Sequence, residues 1–319
     1  LIMSGIKKIR IVTPLFNDWE ALNLLLAQTA DIFRDLPFQL HFVVVNDRSS
    51  ISTPRLVVPS GIKVEIIHLI RNIGHQRAIA VGLSHLAQSS EYDYAVVMDS
   101  DGEDKPEDIL LLIEKVKSEG EKIIFAERQK RSESFSFKAF YLVYKLIFKI
   151  LTGRVISFGN FSLIPQPMVK RLAFLSEIWN NYPGGIIRSR LPFSSVPINR
   201  GTRLAGESRM NFVSLILHGM STISVFLDTT AVRILLFVSI MISCSFIGSI
   251  IVLYLKFFAM AATPGWASSL ILAFFIIFLQ GFFISLFILF MVLNTRTNNN
   301  FIPLKGYEMF IEHIEYLNS

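Results

Sequence analysis

Short apolar runs, each closed by a proline, an Asn-Asp pair or a charge, alternate with longer amphipathic stretches through the first 130 residues. Ile9–Thr13 ends at Pro14, Phe42–Val45 ends at Asn46-Asp47, and Val64–Leu69, Ala95–Met98 and Ile123–Ala126 repeat the form. Their length, β-branched content and flanks predict strands. Trp19–Phe33, Gly74–Gln88 and Pro106–Glu119 read as helices, the last opening with proline and acids in its first turn. Such alternation predicts an α/β fold with a mostly parallel sheet and right-handed crossovers. Ligands of such sheets sit at the carboxyl ends of the strands, which singles out Pro14–Asp18, Asn46–Ser50, Arg71–Gln76 and Asp99–Asp104.

Beyond residue 130 the alternation fades. Residues 136–151 are apolar except for Lys138, Lys145 and Lys149, whose spacings of seven and four put them on one helical face, as in a helix lying in a membrane interface. Met210–Leu227 is a second amphipathic candidate. Two runs then carry no charge at all, Ile234–Leu255 and Phe257–Thr295, divided by Thr263-Pro264-Gly265-Trp266. A bilayer core needs about 20 apolar residues of helix, so each run is long enough for one span. The implied organisation is a soluble domain over 1–209, an interfacial segment over 210–230, two spans within 231–294 (234–255 and 267–293), and a tail over 295–319 expected to form one short helix.

Composition agrees with this division: hydrophobic residues make up 52% of the chain, more than a soluble domain requires. Arg233 precedes the first run and Arg296 follows the second, while the connecting turn has only Lys256 at its edge. The positive-inside rule then expects both termini and the soluble domain in the cytoplasm. The cations at Lys7, Lys8 and Arg10 do not read as a cleavable signal. A single cysteine, Cys244, excludes a disulfide framework and a cysteine zinc site. The net charge of +6 points to anionic lipid and phosphate, and no basic-aromatic motif points to nucleic acid.

Against that positive balance, Asp99–Asp108 holds six carboxylates. Asp99, Asp101 and Glu103 alternate at a strand end, where a turn can aim their oxygens at one point, as hard divalent cations such as Mg²⁺ or Mn²⁺ require. A calcium loop does not fit, because its sixth and twelfth positions would be Asp104 and Leu110, with Pro106 inside. Asp104, Glu107 and Asp108 are expected to favour the start of the following helix. His75 and His85 read as surface or packing residues, and Asn72 and Gly74 as turn formers.

The stretches "IVTPLFND", "VVVNDRSS", "RNIGHQRAIAVGL" and "VVMDSDGEDKPEDI" follow one another as in family 2 glycosyltransferases of the GT-A fold, and "RLAGES" at Arg203–Ser208 narrows the resemblance to the polyprenyl-phosphate sugar transferases, over residues 8 to 295. The resemblance implies that Pro14, Phe16 and Asp18 meet the nucleotide, with Asp18 in place of a more usual Glu, and that Asp47 contacts base or ribose beside Asn46, which replaces an acid. It implies metal binding by Asp99 and Asp101, with Glu103 where a Gln is frequent, and phosphate binding by Arg128, Arg131, Arg203 and Ser208. In "FGNFS" it places Asn160 where a carboxylate often serves as base.

The expectation is an inverting membrane enzyme carrying a sugar from a UDP- or GDP-sugar to a polyprenyl phosphate with Mg²⁺ or Mn²⁺, using Asp101, Asn160 and Arg203 as catalytic residues. A phosphate monoester is largely dianionic at neutral pH, so it is nucleophilic without a base at position 160. Three alternatives stay open: another lipid acceptor, a saccharide acceptor, and a non-catalytic nucleotide-sugar-binding protein. Homo-oligomerisation is open as well.

Overall fold

The computed structural model describes residues 6–51, 54, 56–128, 135–155, 157–206, 212–258, 265–297 and 301–317. Its contacts divide the chain into one unit of residues 1–141, 155–225 and 300–319, and a second of 142–154 and 226–299.

The first unit is built on β1 (Lys7–Leu15), β2 (Phe38–Asn46), β3 (Ile62–Leu69), β4 (Tyr94–Val97), β5 (Ile123–Arg128), β6 (Ser162–Pro165), β7 (Phe193–Ile198) and β8 (Ile311–Leu317). They form one sheet in the order β7-β5-β6-β4-β1-β2-β3-β8. The β1–β2, β2–β3, β1–β4 and β5–β7 pairs are parallel, whereas β4–β6, β5–β6 and β3–β8 are antiparallel. The expected α/β sheet is present, but the later chain contributes more to it than its pattern announced. β6 and β7 are short strands inside a helical region, and the tail carries a strand where one short helix was expected. It has that helix too, α10 (Pro303–Gly306).

Both faces of the sheet are covered, which is why its strands read as continuous apolar runs rather than strict alternations. Ile9 and Ile11 face one way with Phe42 and Val44, against Leu22, Leu25 and Leu26 of α1 (Trp19–Phe33) and Ile109 and Leu112 of α3 (Asp108–Glu119). Val12, Val43 and Val45 face the other way, against Ile79 and Leu83 of α2 (His75–Leu86), Leu172 of α5 (Gln166–Ala173) and Tyr182 of α6 (Tyr182–Ser189). The alternation of Ile11 and Val12 between the two cores is the period-2 geometry of a strand. It leaves the loops at the carboxyl ends of β1, β2, β3 and β4 free for chemistry. α4 (Phe135–Thr152) begins in this unit, and α7 (Phe212–Ser224) closes its middle segment.

The second unit consists of α8 (Leu227–Phe257), α9 (Trp266–Thr297) and the end of α4. Both long helices are apolar enough to cross a membrane, and few of their residues are fully buried, with Phe237, Phe287 and Phe290 turned outward. That exposure separates them from the core helices of a soluble protein. Several of their serine hydroxyls bond to helix carbonyls: Ser243 Oγ donates to the Ser239 carbonyl at 2.9 Å, and Ser245 Oγ crosses to the Phe274 carbonyl at 2.6 Å. Phe274 also packs where a side chain at Gly248 would stand, so the two helices meet closely there. On α4, Leu142, Leu146 and Ile150 are exposed, and Arg233 donates to the Ile150 carbonyl at 2.6 Å, capping the helix end.

Candidate active site

The acidic loop after β4 folds back on itself. Asp101 accepts from the Glu103 amide at 3.0 Å, and Gly102 takes φ +82°, where a Cβ would overlap Leu204 Cγ at 2.3 Å. The loop is closed from outside by residues 200–205: the Gly201 amide donates to the Glu103 carbonyl at 2.8 Å and the Leu204 amide to the Asp101 carbonyl at 2.9 Å. These backbone bonds bring Arg203 into place. Its NH1 donates to Asp101 Oδ2 at 3.1 Å and its NH2 to Asp18 Oδ2 at 2.7 Å, joining the ends of β1 and β4 through one guanidinium.

The other acids of the loop have separate partners. Glu103 accepts from Arg200 Nε at 2.9 Å and lies 3.8 Å from Arg128 NH1. Asp104 is almost fully buried; it accepts from Arg128 NH2 at 2.8 Å and from the Asp99 amide at 3.1 Å. This corrects the expectation that Asp104 serves the helix start. Glu107 at the N-cap of α3 makes no side-chain capping bond either.

Asp99 faces another group. Its Oδ1 lies 3.2 Å from His75 Nε2 without the alignment of a hydrogen bond, so this buried oxygen has no hydrogen-bond partner. Asn160 Nδ2 is 3.0 Å from the same His75 nitrogen, while Asn160 Oδ1 accepts from Gln76 Nε2 at 3.0 Å. Gln76 is fixed in turn by accepting from the Tyr182 amide at 2.7 Å. His75, read from the sequence as a surface or packing residue, therefore stands within the acidic group, and Gln76, singled out only as the last residue of the Arg71–Gln76 stretch, was given no role of its own. The strand-end rule marks their stretch but not their roles, because their partner Asn160 lies 85 and 84 positions further on.

Burial and then the neighbouring Asp99 charge push Asp101 up to about 6, and the same two causes push Asp104 up to about 7. For Asp99 burial opposes ionisation, but His75 and then Arg128 and Asn160 outweigh it and lower its pKa. Burial also opposes charge on His75, yet Asp99 raises it. Asp99 and Asp101 are thus a strained pair of carboxylates, one of them with an orphaned oxygen. That donor set fits a hard divalent cation. Among the described residues no three acidic, histidine or cysteine side chains are arranged as a metal site, and Glu103, expected as a third ligand, is engaged by Arg200.

At the neighbouring strand ends, Asp47 accepts from the Ile73 amide at 2.7 Å and the Gly74 amide at 2.9 Å, with Gly74 at the N-cap of α2. Its carboxylate shapes the β3–α2 turn. Pro14 is buried in β1, and Phe16 is exposed just beyond it. Arg131 and Ser208 lie outside the described residues.

The chain matches the glycosyl transferase family 2 profile over residues 10–179, more than half of its 319 positions. The chain belongs to glycosyl transferase family 2. The matched span of this family 2 enzyme runs from β1 through the acidic loop and past Asn160 to Trp179. The chain is 27% identical to the uncharacterized glycosyltransferase YkcC of Bacillus subtilis, over 82% of this chain and 81% of that one. It is 26% identical to the undecaprenyl-phosphate 4-deoxy-4-formamido-L-arabinose transferase of Salmonella choleraesuis, over 83% of this chain and 80% of that one. Among solved structures, glucosyl-3-phosphoglycerate synthase of Mycobacterium tuberculosis, in complex with Mn²⁺, UDP-glucose and phosphoglyceric acid, superposes with a TM-score of 0.51 at 16% identity, over 70% of this chain and 80% of that one. That likeness concerns the fold, and this glycosyltransferase has the GT-A architecture.

Proposed function

We propose that this glycosyltransferase moves a sugar, with inversion, from a UDP- or GDP-sugar to a polyprenyl phosphate at a membrane crossed by α8 and α9. The observation that carries the reading is the group around Asn160: an amide, not a carboxylate, meets the His75 nitrogen that also lies against Asp99, beside a pair of acids suited to a cation. A hydroxyl acceptor would need a base there, whereas a phosphate monoester brings its own negative oxygen. That oxygen attacks the anomeric carbon, its bond to the diphosphate breaks, and the nucleoside diphosphate leaves with the bonding pair.

Asp99 and Asp101 would hold Mg²⁺ or Mn²⁺, which supplies Lewis-acid stabilisation of the leaving diphosphate when bound. Arg128, Arg131, Arg203 and Ser208 are assigned to the phosphates, while Pro14, Phe16, Asp18 and Asp47 build the nucleotide end. Arg203 reaches Asp18 and Asp101 together and so orients donor groups lying between β1 and β4. Asn160 orients an acceptor oxygen through its amide.

The Salmonella relative supports the acceptor assignment by its name and by an alignment covering 83% of this chain. Connectivity supports the topology. Two spans return the chain to the side it left, and Arg233 and Arg296 at their outer ends support the cytoplasm as that side.

The test is full-length protein in detergent with Mn²⁺, undecaprenyl phosphate and a panel of nucleotide sugars, read by mass analysis of lipid products. One sugar-phospholipid is expected. Glycosylation of a hydroxyl acceptor with none of the phosphate would overturn the reading.

A further inference from the structure

β8 closes the end of the sheet, antiparallel to β3, after the chain has passed through both long helices. The registers align Asn46 of β2, His68 of β3 and His313 of β8 in one row. Asn46 Nδ2 lies 3.1 Å from His68 Nδ1, the His68 ring stacks on His313 at 4.3 Å with 9° between planes, and His68 Nε2 lies 3.3 Å from Glu315 Oε2. An amide nitrogen can only donate, so His68 Nδ1 accepts and its proton sits on Nε2, donated to Glu315. Asn46 Oδ1 meanwhile accepts from the Ser49 amide at 3.0 Å. Both ends of this amide are used.

A carboxylate at position 46 would have no proton for His68 Nδ1. The ring would have to turn its proton toward residue 46 and release Glu315, or take a second proton. Burial and then the facing His313 lower the pKa of His68, which opposes the second course. Asn46 is therefore matched to the tail.

A second tie is independent of the first. Arg48, a non-glycine residue at φ 56°, donates to Glu312 Oε2 at 2.6 Å across 264 positions of sequence. The turn it belongs to is joined onward to the end of β1: the Asn17 amide donates to Ser49 Oγ, Asn17 Nδ2 to Ser50 Oγ, each at 2.9 Å, and the Ile51 amide to Asn17 Oδ1 at 3.0 Å. Adjacent strands lie about 4.8 Å apart, so the end of β2 stands roughly 10 Å from the acidic loop after β4, the reach from a diphosphate to its base. We propose that β8 is a working part of the nucleotide site: Glu312 and Glu315 fix the 46–51 turn in the form that receives the nucleoside of a nucleoside diphosphate, so affinity and base preference depend on the tail.

The proposal rests on the nucleotide-sugar reading, and one experiment separates the two. UDP and GDP, each with Mn²⁺, are titrated calorimetrically into full-length wild type, Arg48→Glu, Glu312→Arg, Glu312→Gln, the Arg48→Glu/Glu312→Arg exchange and Asn46→Asp, with thermal unfolding checked in parallel. Each charge reversal is expected to weaken the preferred nucleotide about fivefold, the exchange to recover most of that, and Glu312→Gln to fall between, as for an exposed ion pair that orders a loop. Asn46→Asp is expected to alter the UDP-to-GDP ratio. If Glu312→Arg binds as wild type does, or the exchange is no better than Arg48→Glu alone, Arg48 acts without the tail and the inference is lost. Wild type binding neither nucleotide would remove the donor reading itself, and this inference with it.

Discussion

Two buried groups of acids in the sheet domain are treated in opposite ways. Glu65, in the first half of β3, lies 2.5 Å from His85 Nε2 and 3.4 Å from His41 Nε2; burial works to raise its pKa, but the two histidines prevail and hold it down to about 2. Asp101, beyond the end of β4, is pushed up to about 6 by burial and by Asp99, even though Arg203 touches it. The fold can neutralise a buried carboxylate when structure alone is at stake. Asp99 and Asp101 keep much of their mutual repulsion despite His75 and Arg203, which agrees with the proposal that a cation is held there.

The largest break in this comparison comes from removing the repulsion. Asp101→Asn is expected to lower turnover about 100-fold or more while preserving or raising the thermal midpoint without metal, because a strained anion is gone. Initial rates with Mn²⁺ and unfolding scans without it check both halves. A variant that lost stability and kept turnover would make Asp101 a structural acid like Glu65.

The mirror substitution is Glu65→Gln. The charge that faces both histidines is lost in a buried setting and one of the two contacts with it, so about 2 kcal/mol of stability should go in denaturant unfolding, with KM for the donor unchanged. Its pH signature is smaller. Glu65 is lowered from 4.5 to about 2, so its contribution is complete above pH 4.5 and is lost as pH falls toward 2. Wild type should therefore lose stability more steeply than Glu65→Gln across that window. Asp101 and Asp104 act with the opposite sign, since their raised pKa values make the anions costly at neutral pH and relieve that cost on protonation.

Much of the site could be read from local sequence because its acids follow one strand. The run before Asp99 and the alternation of Asp99, Asp101 and Glu103 place them at the carboxyl end of β4, where the structure has them. Arg203 was legible only through the resemblance; its bond to Asp18 spans 185 positions. Asp104 misled because an acid ahead of a proline reads as helix capping, whereas Arg128, 24 positions on, claims it. β8 was illegible for a related reason: it is an edge strand with no fully buried residue, and its pairing with β3 depends on the chain returning from two long helices. Local pattern reports local partners, and the parts that escaped it are those whose partners are distant.

The smallest expected effect decides what Asn160 contributes. Asp at this position keeps an acceptor for Gln76 Nε2 but gives up the Nδ2 donor that lies 3.0 Å from His75, and it adds a third carboxylate beside Asp99 and Asp101. If the acceptor is a phosphate that carries its own nucleophilic oxygen, a base gains nothing there, and the added negative charge repels it. Asn160→Asp should then leave kcat within about threefold, with any loss appearing as a higher KM for polyprenyl phosphate and easing as Mn²⁺ is raised. Initial rates over both concentrations separate these terms. A large rise in kcat would mean that the wild-type reaction lacks a base it needs, and the contrast would shift from a loop awaiting a cation to one also awaiting a proton acceptor.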